Sequence, residues 1–481
     1  MYINDHSLNF VQKQLSIAKE KSNQLVVDNN NKLIDLHQPF FDIRVAIENF
    51  EKKGSEPRVI IIPGFRGVGK TTLLAQLYLY LYGKKNNQED ILFFSMDDFA
   101  NTVGGKLQDI ISTYEYILKR NFETLNKKIY LIIDEIQFDE KWDLSLKTLI
   151  DKSKNIFIIC SGSSAIKLKI SPDLARRSII KRKFPLSFKE FQASKNNHLP
   201  ALEPAIIKHK IFNSDSASEI YKFLNSKKNS TELNLYWSKI ETSFLDSYIK
   251  YGTFPFTYNY SSEIEIFQVI RQLIETVLQK DIPNISRLNQ TTLLQIQKLI
   301  FILAESEDIL SKAKIADTLG VNHQTIDEIL EALIKAEVLF KALPYGKNLT
   351  KVKKPSKLLF SSPAIRLAYL DLNKVNAYQI YRGRLLEDIF TMYIYKEFLE
   401  YEQGLLCYDP EEGGADFILE LFNQKSIVFE ICAGNKKEIK QVKQTMKKTN
   451  ANLGIIFHNG ELKLYETENI IKIPLKFLFS I

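Results

Sequence analysis

Between residues 58 and 185 the apolar positions come in short, nearly unbroken runs, "VIIIPG", "ILFFSMDD", "IYLIIDE", "NIFIICSG" and "KRKFPLSF", separated by stretches with helical spacing. Runs without polar alternation are what strands look like when helices cover both faces of a parallel sheet. The pattern predicts an α/β domain with its chemistry in the loops after the strand C-termini. From about 200 to 290 the apolar positions recur at steps of three and four, as in "IEIFQVIRQLIETVLQKDI", which predicts an all-helical portion. Past Leu294, "ILSKAKIADTLGVNHQTIDEILEALIKAEVLFKALPYG" predicts a helix ending near Leu319, a turn at Gly320, a cap at Asn322, a second helix and a hairpin. That is the outline of a winged helix-turn-helix. The last hundred residues return to mixed α/β: a helix at "GRLLEDIFTMYIYKEFL", strands around "ADFILEL", "SIVFEIC", "LGIIFHNG" and "ELKLYE", and a basic helix from Lys436 to Lys448.

Composition changes this picture little. The 481 residues are 45% hydrophobic and 25% charged, as in ordinary globular proteins, and a formal charge of +8 spread over such a length permits an anionic partner without demanding one. Three widely spaced cysteines, Cys160, Cys407 and Cys432, fit a reducing compartment and neither a disulfide framework nor a zinc cluster. The start "MYINDHSLNFVQKQLSIAKEK" has no apolar core of a signal peptide, and no run of eighteen apolar residues predicts a membrane span, so a cytoplasmic protein is expected.

The sharpest chemistry lies after the first apolar run. "GFRGVGKTT" matches the phosphate-binding loop pattern at Gly64, Gly69, Lys70 and Thr71, with Gly67 and Thr72 completing the loop and helix start, between a strand and the helical "TTLLAQLYLYLYG". Backbone N–H groups and the helix N-terminus cradle phosphates, Lys70 would contact the β and γ groups, and Thr71 would bind Mg²⁺. "IYLIIDEIQ" places Asp134 at the end of an apolar strand, in position to hold the same ion, and Glu135 beside it, able to orient and deprotonate an attacking water. Ser161, Ser163 and Ser164 in "IICSGSSA" either sense the γ-phosphate or cap the following turn. Arg176 and Arg177 either supply charge to a transition state, including that of a neighbouring subunit, or are surface arginines. No motif reads the base.

Two further regions carry candidate chemistry. Asn322, His323, Gln324 and Thr325 open the second helix of the helix-turn-helix, and Lys341, Lys347, Lys351, Lys353, Lys354 and Lys357 cluster around the hairpin, as a DNA-contacting module requires; Asp327, Glu328 and Glu331 oppose that use. In "SIVFEICAG", Glu430 and Cys432 face the same side of a strand. With Asp416 in "GADFIL" and Glu387 in "GRLLEDIF" they outline a nuclease-like carboxylate site in which cysteine stands where a lysine is needed, and a neutral thiol cannot replace an ammonium ion. Lys436 or Lys437 would have to reach back across a turn to supply the charge.

The order "GFRGVGKTTLL", "IYLIIDEIQ", "ICSGSSA", "ARRSIIKRKFPLSFKEF", "YIKYGTFPF" and "GRLLED" to "FEICAG" resembles the archaeal-type P-loop ATPases of the AAA+ and STAND neighbourhood over almost the full chain; the arginine, "PLSF-x-EF" and "YG-x-FPF" segments narrow the likeness. The resemblance implies a helical lead-in (1–45), an ATPase core (46–190), a helical lid (191–290), a winged helix (291–375) and a restriction-endonuclease-like, PD-(D/E)XK domain (376–481). It gives Gly64, Gly69, Lys70 and Thr71 to nucleotide, Asp134 to magnesium, Glu135 to catalysis, Ser161 to the serine or threonine after the fourth strand and Arg177 to the arginine before "PLSF". ATP and Mg²⁺ are the expected cofactors, DNA the expected partner, and a homo-oligomer is compatible with all of this. Three functions stay open: an ATP-driven switch or motor on DNA with a degenerate nuclease-like domain, a nucleotide-controlled oligomerising scaffold without nucleic acid, and an ATP-controlled nuclease.

Overall fold

Every residue of Val59–Pro63 (β1) is buried, and alternate side chains leave the strand in opposite directions. Val59 and Ile61 pack with Leu107, Ile110, Trp142 and Leu146 on one side of the sheet. Ile60 and Ile62 pack with Ile43, Ile47, Phe50, Leu73 and Leu77 on the other. A strand covered on both faces gains nothing from polar alternation, which is why its sequence reads as a continuous apolar run. β2 (Ile91–Ser95), β3 (Ile129–Asp134), β4 (Ile156–Gly162) and β5 (Ser178–Ile180) complete a parallel sheet in the order β2-β3-β4-β1-β5. β4 thus lies between the strand that leads into the glycine loop and the strand that ends at Asp134.

The computed structural model describes residues 4–480 apart from 30, 55, 86, 165–169, 196–203, 286–289, 307–308, 348–352, 371–376, 424 and 433–437. The chain divides into two compact units, Met1–Phe184 and Pro185–Ile481. Residues 1–45 are part of the first unit's core: Val11 and Ala18 of the helix Asp5–Leu25 are buried in it, and the boundary expected at 45/46 falls inside the helix Gln38–Lys53. "KRKFPLSF" is not the fifth strand. Regular pairing ends at Ile180, after which the N–H groups of Lys181 and Lys183 still bond the carbonyls of Ile61 and Pro63.

In the second unit, helices run from Pro204 to Glu305, with π-helical turns at Tyr248–Gly252 and Val277–Asp281. Two of the segments that narrowed the family likeness, "PLSF-x-EF" and "YG-x-FPF", meet here. The Tyr248 hydroxyl donates to the Leu186 carbonyl at 3.0 Å and lies 2.7 Å from the Tyr393 hydroxyl, which accepts from the Phe188 N–H at 3.0 Å. A Cβ at Gly252 would stand 2.7 Å from the Phe191 ring, so the motif requires glycine there. Next come the helices Lys312–Leu319 and His323–Lys335, joined through a left-handed Gly320 and capped by Asn322, whose Oδ1 accepts the Thr325 N–H at 2.8 Å.

The hairpin β6 (Leu339–Pro344) and β7 (Lys357–Phe360) does not stand apart as a free wing. β6 pairs in parallel with β8 (Gly404–Tyr408), Leu343 opposite Cys407, and so extends the C-terminal sheet, which also holds β9 (Phe417–Leu421), β10 (Ser426–Cys432), β11 (Leu453–His458), β12 (Lys463–Tyr465) and β13 (Ile470–Pro474). The order β12-β13-β11-β10-β9-β8-β6-β7 crosses the boundary expected at 375/376, because pairing with β6 satisfies an edge of β8 that would otherwise be open. The helix Arg382–Glu397 buries Leu385 to Ile394. Its Asp388 is fully buried and takes a two-pronged bond from Arg366, at 2.6 and 3.0 Å, and the Phe360 N–H at 2.9 Å. Among the described residues no helix is long and apolar enough to cross a membrane. Removing one partner of a buried ion pair strands the other, so Arg366→Met is expected to lower the stability of the second unit by about 3–5 kcal/mol, read by urea unfolding; a change below about 1 kcal/mol would show that the pair is not needed.

Candidate functional site

After Pro63 the chain turns through a loop whose geometry only glycine meets without strain. Gly67 and Gly69 have φ of 79° and 90°, and a Cβ on Gly64 would stand 2.3 Å from the Lys183 carbonyl oxygen. The helix Lys70–Lys84 starts at Gly69 with no side-chain cap on its first N–H groups, which leaves donors directed at the loop. Lys70 is 5% exposed; its Nζ donates to the carbonyls of Gly64 at 2.9 Å and Phe65 at 3.1 Å, so the ammonium lies over its own loop. Thr71 Oγ1 donates to Asp134 Oδ2 at 2.6 Å. Thr72, half-buried, follows on the same helix.

Asp134 is the meeting point. Its Oδ1 accepts from the Ser161 hydroxyl and from the Glu135 N–H at 3.1 Å. Burial, then the neighbouring Glu135 charge, pushes its pKa up, against the pull of Ser161, Thr71 and Lys70. Glu135 adopts a left-handed conformation, φ 51°, which a side chain of this size keeps only where its surroundings enforce it. Gln137 Nε2 bonds the Glu135 carboxylate, and its Oε1 accepts the Ser163 N–H at 3.4 Å. Gln137 went unnoticed in the sequence, although it stands two positions after the glutamate in "DEIQ". So did Lys183, buried beside the loop with its Nζ 3.2 Å from His37 Nδ1. Gly64, Gly67, Gly69, Lys70, Thr71, Asp134, Glu135 and Ser161 are therefore brought together at one end of the sheet.

Arg177 is not among them. It precedes β5, whose Ser178 lies opposite Val59 at the start of β1, and it pairs with Asp151 at the end of the helix Trp142–Lys152. Five strand residues separate that level from Gly64, about 16 Å along the sheet. Arg176 is exposed and bonds Asp173 at 2.6 Å.

In the second unit Glu387, Asp416 and Glu430 do converge, but the cation among them comes from the hairpin. Lys357 Nζ is 3.0 Å from Glu387 Oε2 and 3.5 Å from Asp416 Oδ1, and lies 4.3 Å from the centre of the Phe417 ring. Arg384 also bonds Glu387 Oε2, at 2.8 Å. Asp416 Oδ2 accepts the Ile431 N–H at 3.0 Å, and Glu430 Oε2 accepts the Asp416 N–H at 3.1 Å. Cys432 instead packs in an apolar cluster with Val428, Val442 and Met446. Lys357, buried, is thus removed from the basic hairpin surface, where Lys341, Lys347, Lys353 and Lys354 remain exposed. Lys354 Nζ donates to the Pro410 carbonyl at 3.2 Å. His323 and Gln324 are exposed, while Asp327 pairs with Lys312. Lys351, Lys436 and Lys437 lie outside the described residues.

Residues 56–192 match a family model described as an AAA domain, and residues 242–376 match one described as a domain of unknown function (DUF8612). The sheet, the glycine loop and this match define the first unit as a P-loop ATPase domain of the AAA+ class. The chain is 34% identical over 479 residues to the uncharacterized protein MJ1637 of Methanocaldococcus jannaschii, covering 98% of this chain and 93% of that protein. It belongs to the same family as that protein. MJ1544 of the same organism is 22% identical over 449 residues, covering 89% of this chain and 90% of that protein. Among solved structures, AMPPCP-bound DnaA from Aquifex aeolicus aligns over 64% of this chain and 90% of its own at 18% identity, with a TM-score of 0.27, too low to bear on the fold.

Burial sets the charge of the C-terminal cluster. It pushes Glu430 up to about 9, with the Asp416 charge adding to the effect, and it raises Asp416 against the pull of Lys357. Burial alone would raise Glu387 too, but Lys357 and Arg384 more than offset it and hold that carboxyl below its ordinary range. A carboxyl neutral in the folded chain and ionised in the unfolded one favours unfolding as pH rises from its ordinary 4.5 towards 9. Glu430→Gln is therefore expected to stabilise the chain, with a gain in the urea midpoint that is larger at pH 8 than at pH 5; an equal gain at both would assign Glu430 an ordinary pKa.

Proposed function

We propose that this chain is an Mg²⁺-dependent, ATP-hydrolysing switch that acts on or with DNA. The observation that carries the reading is the convergence of Lys70, Thr71, Asp134 and Glu135 at the loop end of the sheet. The residues fit the ion: a threonine hydroxyl and a carboxylate already lie 2.6 Å apart at a loop built for phosphates. Thr71 and Asp134 would hold a Mg²⁺ ion, which would supply positive charge against that of the phosphates. Glycine-loop N–H groups and Lys70, freed from its own carbonyls, hold the β and γ groups. Glu135, oriented by Gln137, takes a proton from the attacking water. Ser161, bonded to Asp134, fixes the carboxylate's direction. Arg177, at the far end of β5, can act only on a second copy of the chain, which favours a homo-oligomer as the active form.

The C-terminal unit is the output side of the switch. Exposed lysines around the hairpin and the polar start of the helix His323–Lys335 favour DNA over a protein partner.

Lys70→Ala is expected to lose nucleotide binding, while Glu135→Gln keeps it and slows phosphate release by about 10²–10⁴-fold; hydrolysis by Lys70→Ala at the wild-type rate would remove the enzymatic reading. In the same assay the specific activity of the wild type should rise with protein concentration, and that of Arg177→Ala should not. Lys353→Glu with Lys354→Glu is expected to weaken duplex binding and to lessen its dependence on salt. Unchanged duplex retention, together with an ATPase rate indifferent to duplex or single-stranded DNA and nucleotide-dependent assembly, would favour the scaffold instead.

A further inference from the structure

We propose that Lys357 is the resident cation of the Glu387, Asp416 and Glu430 cluster, filling the place a divalent metal ion would otherwise take and fastening the hairpin to the C-terminal sheet. A metal-dependent site needs carboxylate oxygens free to ligate, since hard divalent ions take several oxygens each. Here four of the six carboxylate oxygens are in use. Glu387 Oε2 holds Lys357 and Arg384, Asp416 Oδ1 holds Lys357, Asp416 Oδ2 holds the Ile431 N–H, and Glu430 Oε2 holds the Asp416 N–H. Among the described residues no set of three or more His, Cys, Asp or Glu groups is arranged to hold a metal ion.

Charge points the same way. The Lys357 side chain is 6% exposed, too little for water to solvate an ammonium ion, so its carboxylate partners must do so. Lys357 and Arg384 bring two cations to the cluster, and the carboxyls that face them are Glu387, held below its ordinary range, and Asp416. A divalent ion added beside these two cations would raise the positive charge of a low-dielectric site, unless Lys357 moved out. Moving it would break its contacts with Glu387, Asp416 and the Phe417 ring of β9, which tie the first residue of β7 to the C-terminal sheet. The ammonium is thus committed to carboxylates and is unavailable to position a water. With the cation arriving from the hairpin, position 432 does not have to supply it, and Cys432 lies in an apolar cluster.

Mn²⁺ binding, followed by electron paramagnetic resonance on the full nucleotide-free chain carrying Asp134→Asn to silence the P-loop side, tests this. The parent is expected to show no Mn²⁺ site at the cluster, Lys357→Met to gain one with at least tenfold higher affinity, and Lys357→Met/Glu387→Gln to lose it again. Equal Mn²⁺ affinity in the parent and in Lys357→Met, or no gain in Lys357→Met, overturns the proposal. Should Lys357→Met fail to fold, the pair Lys357→Met/Glu387→Gln, which removes one charge of each sign, is expected to unfold within a few degrees of the parent and to bind no Mn²⁺; a pair that also fails to fold, or that binds Mn²⁺, overturns it as well. Glu387, Asp416 and Glu430 all lie in the unit that begins at Pro185, so either outcome leaves hydrolysis at the P-loop to stand or fall by its own assay.

Discussion

A carboxylate buried at the end of a parallel strand costs several kcal/mol unless donors surround it, and Asp134 collects them from three elements. Thr71 comes from the helix after the glycine loop, Ser161 from β4, and the Glu135 N–H from the turn that the carboxylate itself ends. These bonds cross-link the helix after the glycine loop, the inserted strand and the acidic strand. They also explain the left-handed backbone at Glu135, which turns its N–H back onto Asp134 while Gln137 holds its side chain. The left-handed turn at Glu135 goes with satisfying one buried charge.

The second unit meets the same problem with a different solution. Glu387 and Glu430 are as buried as Asp134 and Asp416 is half-buried, but two cationic side chains stand among them where Asp134 has hydroxyls and a backbone N–H. An ammonium ion inside a cluster closes it; hydroxyls around a carboxylate leave it able to exchange one donor for a metal ion. The two acidic groups thus differ in what satisfies them, although the sequence marked both only as carboxylates.

Legibility followed the range of the interactions. The glycine loop, Asp134 and Glu135 could be read because each is a local feature, a glycine at a left-handed turn or an acid after an apolar strand. The helices on either side of Gly320 could be read for the same reason, since Asn322 caps the residue three positions on. Lys357 was misplaced among surface lysines because nothing within its own segment distinguishes it from Lys353 and Lys354. Its partners lie 30, 59 and 73 positions away (387 − 357, 416 − 357 and 430 − 357), and periodicity carries no information over such separations. The lead-in at 1–45 was set apart for a similar reason: Val11 and Ala18 pack against strands whose pairing the sequence does not declare.

What the sequence determined by itself was the kind of residue at each place: a glycine-rich phosphate-loop pattern, an acidic pair after an apolar strand, two helices about a glycine turn with a basic hairpin, and three carboxylates near a cysteine. The tertiary structure decided which of these groups share a site. It put Arg177 at the opposite end of the sheet from the loop, because β5 runs parallel to β1 and the arginine precedes it. It carried the hairpin into the C-terminal sheet through β6 and β8, and with it an ammonium ion into the carboxylates. Residue type is a property of the chain, whereas strand order and register come from burying both faces of two sheets at once, and these set the distances on which charge pairing depends.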